Sequence, residues 1–252
     1  MNIIDVHTHP SWDHPVEHME GMLRLADRFG VERLVVLGGT IGSDFQPTVD
    51  EVRRINDLTI DLVRRWPDRL VGFARLNPGL PAEAVLAEID RCILGAHLSG
   101  LKLLVWPNLR DPRVDVALLR ARQLRLPVLC HCWYKTVQHY EGEATPADVA
   151  HLAARFPDVT LIAAHLTPAG VRGVQDVLPF PNVHFDTSGA QPFAGVLEYA
   201  VERLGARRIL YGSDVPGRDF SAQLGRVYGA RLSDEDRRLI LGDNARRILG
   251  LS

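Results

Sequence analysis

The stretch Ile3-Ile4-Asp5-Val6-His7-Thr8-His9 opens as a β-branched apolar run and closes on two histidines two residues apart. Seven further runs have the same character: Arg33 to Leu37, Leu70 to Arg75, Gly100 to Val105, Pro127 to His131, Val159 to Ala164, Asn182 to Asp186 and Arg208 to Tyr211. Between them lie longer amphipathic stretches such as Val16 to Phe29, Thr48 to Trp66, Ala82 to Ile93 and Arg113 to Leu124. Short apolar runs alternating with helical periodicity are the pattern of repeated βα units around a parallel sheet. A count of eight such units predicts an α/β chain folded as a single (β/α)8 TIM barrel.

Local signals agree with this reading. Thr145 before Pro146 reads as a helix N-cap with proline in the first turn, and Ser233 precedes a charged helix beginning at Asp234. Gly30, Gly95 and Gly205 stand where helices should stop. The chain has 252 residues, a usual size for one such barrel, and no low-complexity linker divides it. Residues 1–252 are therefore expected to form one domain.

Composition narrows the function classes. Hydrophobic residues make up 46% and charged residues 24%, and no apolar run approaches the roughly 20 residues needed to cross a bilayer. With 29 basic against 31 acidic residues, the net charge of −2 gives no electrostatic reason to expect nucleic acid or an anionic membrane. A small-molecule substrate is the expected partner, and self-association as a homo-oligomer is compatible with the sequence. Met1 leads straight into the first apolar run without a basic segment or cleavage signal, so a cytoplasmic protein is expected. The three cysteines, Cys92, Cys130 and Cys132, are too few and too irregular for a disulfide framework. Cys130 and Cys132 flank His131 on a strand and should face away from it, toward the helices.

On a strand with a side-chain period of two, His7 and His9 share one face while Thr8 points to the other. By itself this pair is a modest signal, since histidines on a strand are often simply hydrogen-bonded. The rest of the chain strengthens it. His131 ends the fifth run, His165 ends the sixth (Leu161-Ile162-Ala163-Ala164-His165), and Asp214 follows the eighth (Leu210-Tyr211-Gly212-Ser213-Asp214). Barrel closure brings these ends to the C-terminal mouth, where barrels keep their active sites. Histidine and carboxylate donors suit zinc and similar divalent ions, and a catalytic site leaves one position open for water.

This order of His-x-His, His, His and Asp resembles the amidohydrolase superfamily of metal-dependent hydrolases. Within it the chain is most similar to the amidohydrolase-2 branch, which includes lactonases and decarboxylases. The likeness extends over nearly the whole chain, through Gly142-Glu143-Ala144-Thr145-Pro146, Phe185-Asp186-Thr187-Ser188-Gly189 and Gly242-Asp243-Asn244-Ala245. The extra β-sandwich of many larger amidohydrolases has no counterpart here. The resemblance implies that His7, His9, His131 and Asp214 hold a metal, with zinc expected and manganese the other candidate. It implies that His165 binds a second metal or acts on the substrate, and that Asp214 is also the general base. A divalent ion brings the pKa of bound water to about 7, which makes hydrolysis of a small lactone, ester or amide the leading expectation. The alternative is metal-dependent, non-oxidative decarboxylation of an aromatic or unsaturated carboxylic acid.

Lys102 lies in the fourth run, where some amidohydrolases carry a carboxylated lysine bridging two metals. Its other reading is an uncarboxylated cation for an anionic substrate group. Trp12, Arg75, Trp106, Trp133, Tyr134, Lys135, Glu143 and Arg218 are candidates for the substrate pocket, and convergence of Arg75, Lys102 and Arg218 would point to a carboxylate-bearing substrate. Asp5 is expected on the face of His7 and His9, one step deeper, as an acceptor for their rings or as a structural hydrogen-bond group. Asp186 has two readings, contact with substrate or fixing of a loop.

Overall fold

A computed structural model describes residues 2–39, 45–134, 140–190 and 193–251. Eight strands form one parallel sheet in sequential order: β1 (Ile3–Thr8), β2 (Val31–Val36), β3 (Leu70–Leu76), β4 (Gly100–Leu103), β5 (Val128–Cys130), β6 (Leu161–Ala163), β7 (Val183–Asp186) and β8 (Ile209–Leu210). The sheet closes where the amide of Val6 donates to the carbonyl of Tyr211 at 2.9 Å and that of His9 to Val215 at 2.8 Å. The architecture is a single (β/α)8 TIM barrel, as the eight apolar runs predict.

The helices between strands are α1 (Pro15–Arg28), α2 (Val49–Arg65), α3 (Ala82–Asp90), α4 (Asp115–Leu124), α5 (Pro146–Arg155), α6 (Leu166–Val177) and α7 (Val196–Leu204), with α8 (Phe220–Gly229), α9 (Asp234–Arg238) and α10 (Asn244–Leu249) after β8. Their starts follow the sequence signals. Thr48 caps α2 in a reciprocal box with Glu51, and the amide of Thr145 donates to Asp148 Oδ2 at 2.8 Å at the start of α5. Ser233 accepts from the amide of Asp236 at 3.0 Å and starts α9. Such caps satisfy amide groups that the first helical turn leaves unpaired.

Alternate residues along the strands divide the apolar core in two. One layer, including Leu34, Val128, Val183 and Phe185, packs outward against helix residues such as Met19, Ile60 and Leu118. Cys130 and Cys132 belong to it, turned away from His131 as expected, and burial pushes the Cys130 thiol up to about 12. The other layer fills the barrel: Ile4, Val6, Val35, Leu37, Val71, Phe73, Leu129, Ile162 and Leu210, with Ala245, Ile248 and Leu249 of α10 packed against it. Phe73 pairs with Gly100 on the neighbouring strand, where a Cβ would meet the phenyl ring at 2.5 Å. Large opposite small lets the ring fill the barrel centre.

β1 departs from simple alternation. Ile4 pairs with Arg33 and Asp5 with Leu34, but Thr8 pairs with Val36, so one extra residue sits in β1 between Asp5 and Thr8. This bulge, in the interval that contains His7, resets the face of the strand.

Candidate metal centre

The structure brings His7, His9 and Asp214 together from β1 and the segment after β8. His7 Nε2 and His9 Nε2 stand 3.6 and 3.5 Å from Asp214 Oδ1. Two donors about 2.1 Å from a common ion at the tetrahedral angle are about 3.4 Å apart, so this spacing fits shared coordination of a divalent cation. The three donor atoms lie within 4.8 Å of one another. Burial, reinforced by the nearby Lys102 charge, holds His7 well below the usual histidine range and lowers His9 in the same way. Neutral imidazoles keep the lone pair that a metal requires. Burial raises the Asp214 carboxyl to about 6, against the opposing pull of Lys102.

Each ring is held by its other nitrogen. His9 Nδ1 lies 2.7 Å from the carbonyl of Gly38, and His7 Nδ1 lies 2.7 Å from Asp186 Oδ2. Acceptors at Nδ1 place the proton there and leave Nε2 for the metal. His7 also groups with His165 and Asp186. Its contact with Asp186 is of hydrogen-bond length, shorter than two ligands of one ion stand from each other, so this second group supports the first.

His165, after β6, has left-handed backbone with φ 67°, and so does Asp214, after β8, with φ 63°. Non-glycine residues rarely adopt that conformation, and its cost is tolerated where the surroundings fix the side chain's direction. The His165 and His7 ring centroids are 4.9 Å apart. His131 faces the same cavity, but its Nε2 lies 2.9 Å from Glu143 Oε1, and it stands outside the group formed by His7, His9 and Asp214.

A cavity of about 510 Å³ opens over these groups and is lined by His7, His9, Trp12, Gly39, Lys102, His131, Trp133, His165, Asp214 and neighbouring residues. Lys102 is buried, and desolvation lowers it to about 8 while Asp186 and Asp214 oppose the shift. The other pocket candidates are placed differently. Arg75 is buried and faces inward, but a guanidinium nitrogen donates to the carbonyl of Gly39, so it braces the cavity wall from behind. Glu143 sits behind His131. Trp106 packs over Gly79 and Gly142, with the Arg113 guanidinium 5.8 Å from its ring centroid. Tyr134 bonds Asp176 at 2.6 Å, and Arg218 is exposed at the rim, its amide donating to the Asp214 carbonyl at 3.0 Å. Lys135 lies outside the described residues. Arg75, Lys102 and Arg218 do not converge: of the three, only Lys102 lines the cavity.

Of its two expected roles, Asp5 takes the structural one. Its Oδ1 accepts the backbone amides of His7 at 3.0 Å and Ser213 at 2.9 Å, so it joins β1 to the segment after β8 and touches neither imidazole. Burial raises its carboxyl to about 7. Ser188 was not singled out from the sequence, yet its Oγ lies 2.8 Å from His165 Nδ1. The available signal was the step of two from Asp186 to Ser188, which repeats the spacing of His7 and His9.

Solved structures share this fold over their whole length. They include 2,6-dihydroxybenzoate decarboxylase from Rhizobium, at 18% identity and a TM-score of 0.77 over 100% of this chain and 99% of that one. A dihydroxybenzoic acid decarboxylase from Polaromonas sp. JS666, with bound manganese and the inhibitor 2-nitroresorcinol, is similar at 18% identity, a TM-score of 0.77, and coverage of 100% and 98%. 4-Oxalomesaconate hydratase from Rhodopseudomonas palustris follows at 16% identity, a TM-score of 0.71, and coverage of 99% and 96%. At these identities the likeness is one of fold. No curated protein matches the sequence. The family model for amidohydrolases matches residues 4–251, and with its histidines and aspartate at the barrel mouth the chain belongs to the amidohydrolase-2 family.

Proposed function

We propose that the protein is a metal-dependent, non-oxidative decarboxylase of a small aromatic or unsaturated carboxylic acid. The observation that carries this reading is the placement of Lys102, a buried cation in the same cavity as His7, His9 and Asp214, with the indoles of Trp12 and Trp133 on its walls. A buried charge is costly unless something compensates it, and no hydrogen bond or ion pair ties the ammonium among the described residues. A planar anion would meet the cation with its carboxylate and the indoles with its ring. The donor set fits zinc or manganese, and a bound ion would supply a positive centre for the substrate's oxygen atoms.

The chain's own residues then divide the work. Lys102 pairs with the substrate anion, and the tryptophans exclude water from the ring. Asp214 turns Oδ1 toward the two imidazoles and exchanges a proton through Oδ2. The carbon–carboxylate bond breaks, its electron pair stays on the carbon, that carbon takes the Asp214 proton and carbon dioxide leaves. Water entering the cavity restores the proton to Asp214. Hydrolysis of a lactone, ester or amide would use the same groups, with Asp214 drawing a proton from water. Decarboxylation is preferred because several proteins of this fold, matched over their full length, are decarboxylases.

The test is to load the protein with Mn2+ or Zn2+ and offer 2,6-dihydroxybenzoate and related hydroxybenzoates, beside lactones and esters in 18O-labelled water. Carbon dioxide release in step with formation of the decarboxylated product is expected. Label incorporation into a hydrolysed product, with no carbon dioxide from any acid, would replace this reading with hydrolysis.

A further inference from the structure

We propose that Ser188 is a positioning residue that fixes which nitrogen of His165 carries the proton, and that Asp186 anchors both Ser188 and His7, so that two imidazoles from different strands present Nε2 to the cavity together. This concerns the site described above and holds whichever reaction takes place there.

The assignment follows from counting donors and acceptors. Asp186 Oδ1 accepts the backbone amides of His165 and Ser188, each at 3.0 Å, and the Ser188 hydroxyl contacts the same oxygen. Asp186 Oδ2 faces His7 Nδ1 at 2.7 Å. A carboxylate only accepts, so all four partners act as donors. A hydroxyl has a single proton, and with that proton directed at Asp186 the serine oxygen offers only lone pairs elsewhere. His165 Nδ1, 2.8 Å from that oxygen, must then be the donor. His7 Nδ1 also lies 3.2 Å from Ser188 Oγ, but its nearer acceptor is Asp186. Each neutral ring is left with its proton on Nδ1 and a lone pair on Nε2.

The backbone fixes Ser188 in place. Gly189 has φ 121°, and a Cβ there would fall 1.5 Å from the carbonyl oxygen of Thr167, so the chain passes directly against the start of α6. The Gly189 carbonyl accepts from Gln223 Nε2 at 2.9 Å and Arg226 Nη1 at 3.0 Å, both on α8. With Ser188 fully buried, its hydroxyl has no water to turn toward. A serine needed only for packing would not require this direction.

Long-range 1H–15N spectra of the zinc-loaded, 15N-histidine-labelled protein test the proposal without any substrate, so the outcome is independent of whether decarboxylation is found. His165 is expected to show its proton on Nδ1. Ser188→Ala should lose that single-tautomer signature at His165 and keep it at His7, and Ser188→Thr, which retains a hydroxyl, should restore it. A His165 proton on Nε2 in the wild type, or an unchanged His165 signature in Ser188→Ala, would overturn the proposal. Should Ser188→Ala not fold, the wild-type tautomer decides alone.

Discussion

The barrel interior changes character along its length. Toward the floor it is an apolar plug in which Phe73, Leu129, Ile162 and Leu210 pack with residues of α10. At the mouth the same strands carry titratable groups: Phe73 gives way to Arg75 and Leu129 to His131, each by one step of two along the strand. The contrast teaches how a dry, polar site is held in place. Its side chains are short extensions of a packed core, so their directions are set by the rigidity beneath them, and the cost of gathering them is offset by apolar burial one layer below.

The two regions should fail in different ways. The largest effect is expected at the mouth: a His7→Ala, His9→Ala double replacement should take metal content, measured by elemental analysis, from about one ion per chain to nearly none, with melting little changed. If stability collapsed with the metal, the two regions would not be separable. In the plug, Phe73→Ala should cost about 3–5 kcal/mol in denaturant unfolding and leave metal content intact. Loss of metal there would show that the site depends on packing at distance.

His184 sharpens the comparison through pH. It is a buried imidazole pushed down to about 4 by burial, with Arg247 and Arg208 adding to the shift. Above its unfolded value near 6.5 it is neutral in both states. As pH falls from about 6.5 to about 4, the unfolded chain takes up a proton that the native state refuses, so stability declines by roughly 3 kcal/mol and then levels off. His184→Gln should flatten that part of the stability curve; an unchanged slope would assign it to other groups. The smallest effect is expected from Asp186→Asn, which should weaken zinc binding about 10–100-fold in a chelator competition by freeing the His7 ring. Wild-type affinity in that variant would show that Asp186 does not set the ligand.

Much of this was legible in the residues. The eight strands could be counted because parallel strands inside a barrel read as apolar runs, and the boundaries moved by only a few residues. His7, His9 and Asp214 could be placed at the mouth because strand ends are fixed by topology. The bulge in β1 could not be read, because it appears only as a mismatch of pairing with β2, and only the packed strands show which of its two expected roles Asp5 takes. Arg75, Trp106 and Arg218 were plausible pocket groups by position, but a long side chain at a strand end or in a loop takes whichever partner its neighbours offer.

The sequence by itself determined the barrel and which residue types gather at its mouth, since both follow from periodicity and from where each strand stops. Only the tertiary structure decided which atom of each residue faces the cavity. That choice rests on hydrogen bonds between residues far apart in the chain, His7 with Asp186 and His165 with Ser188, and such bonds acquire a direction only once the strands are packed side by side.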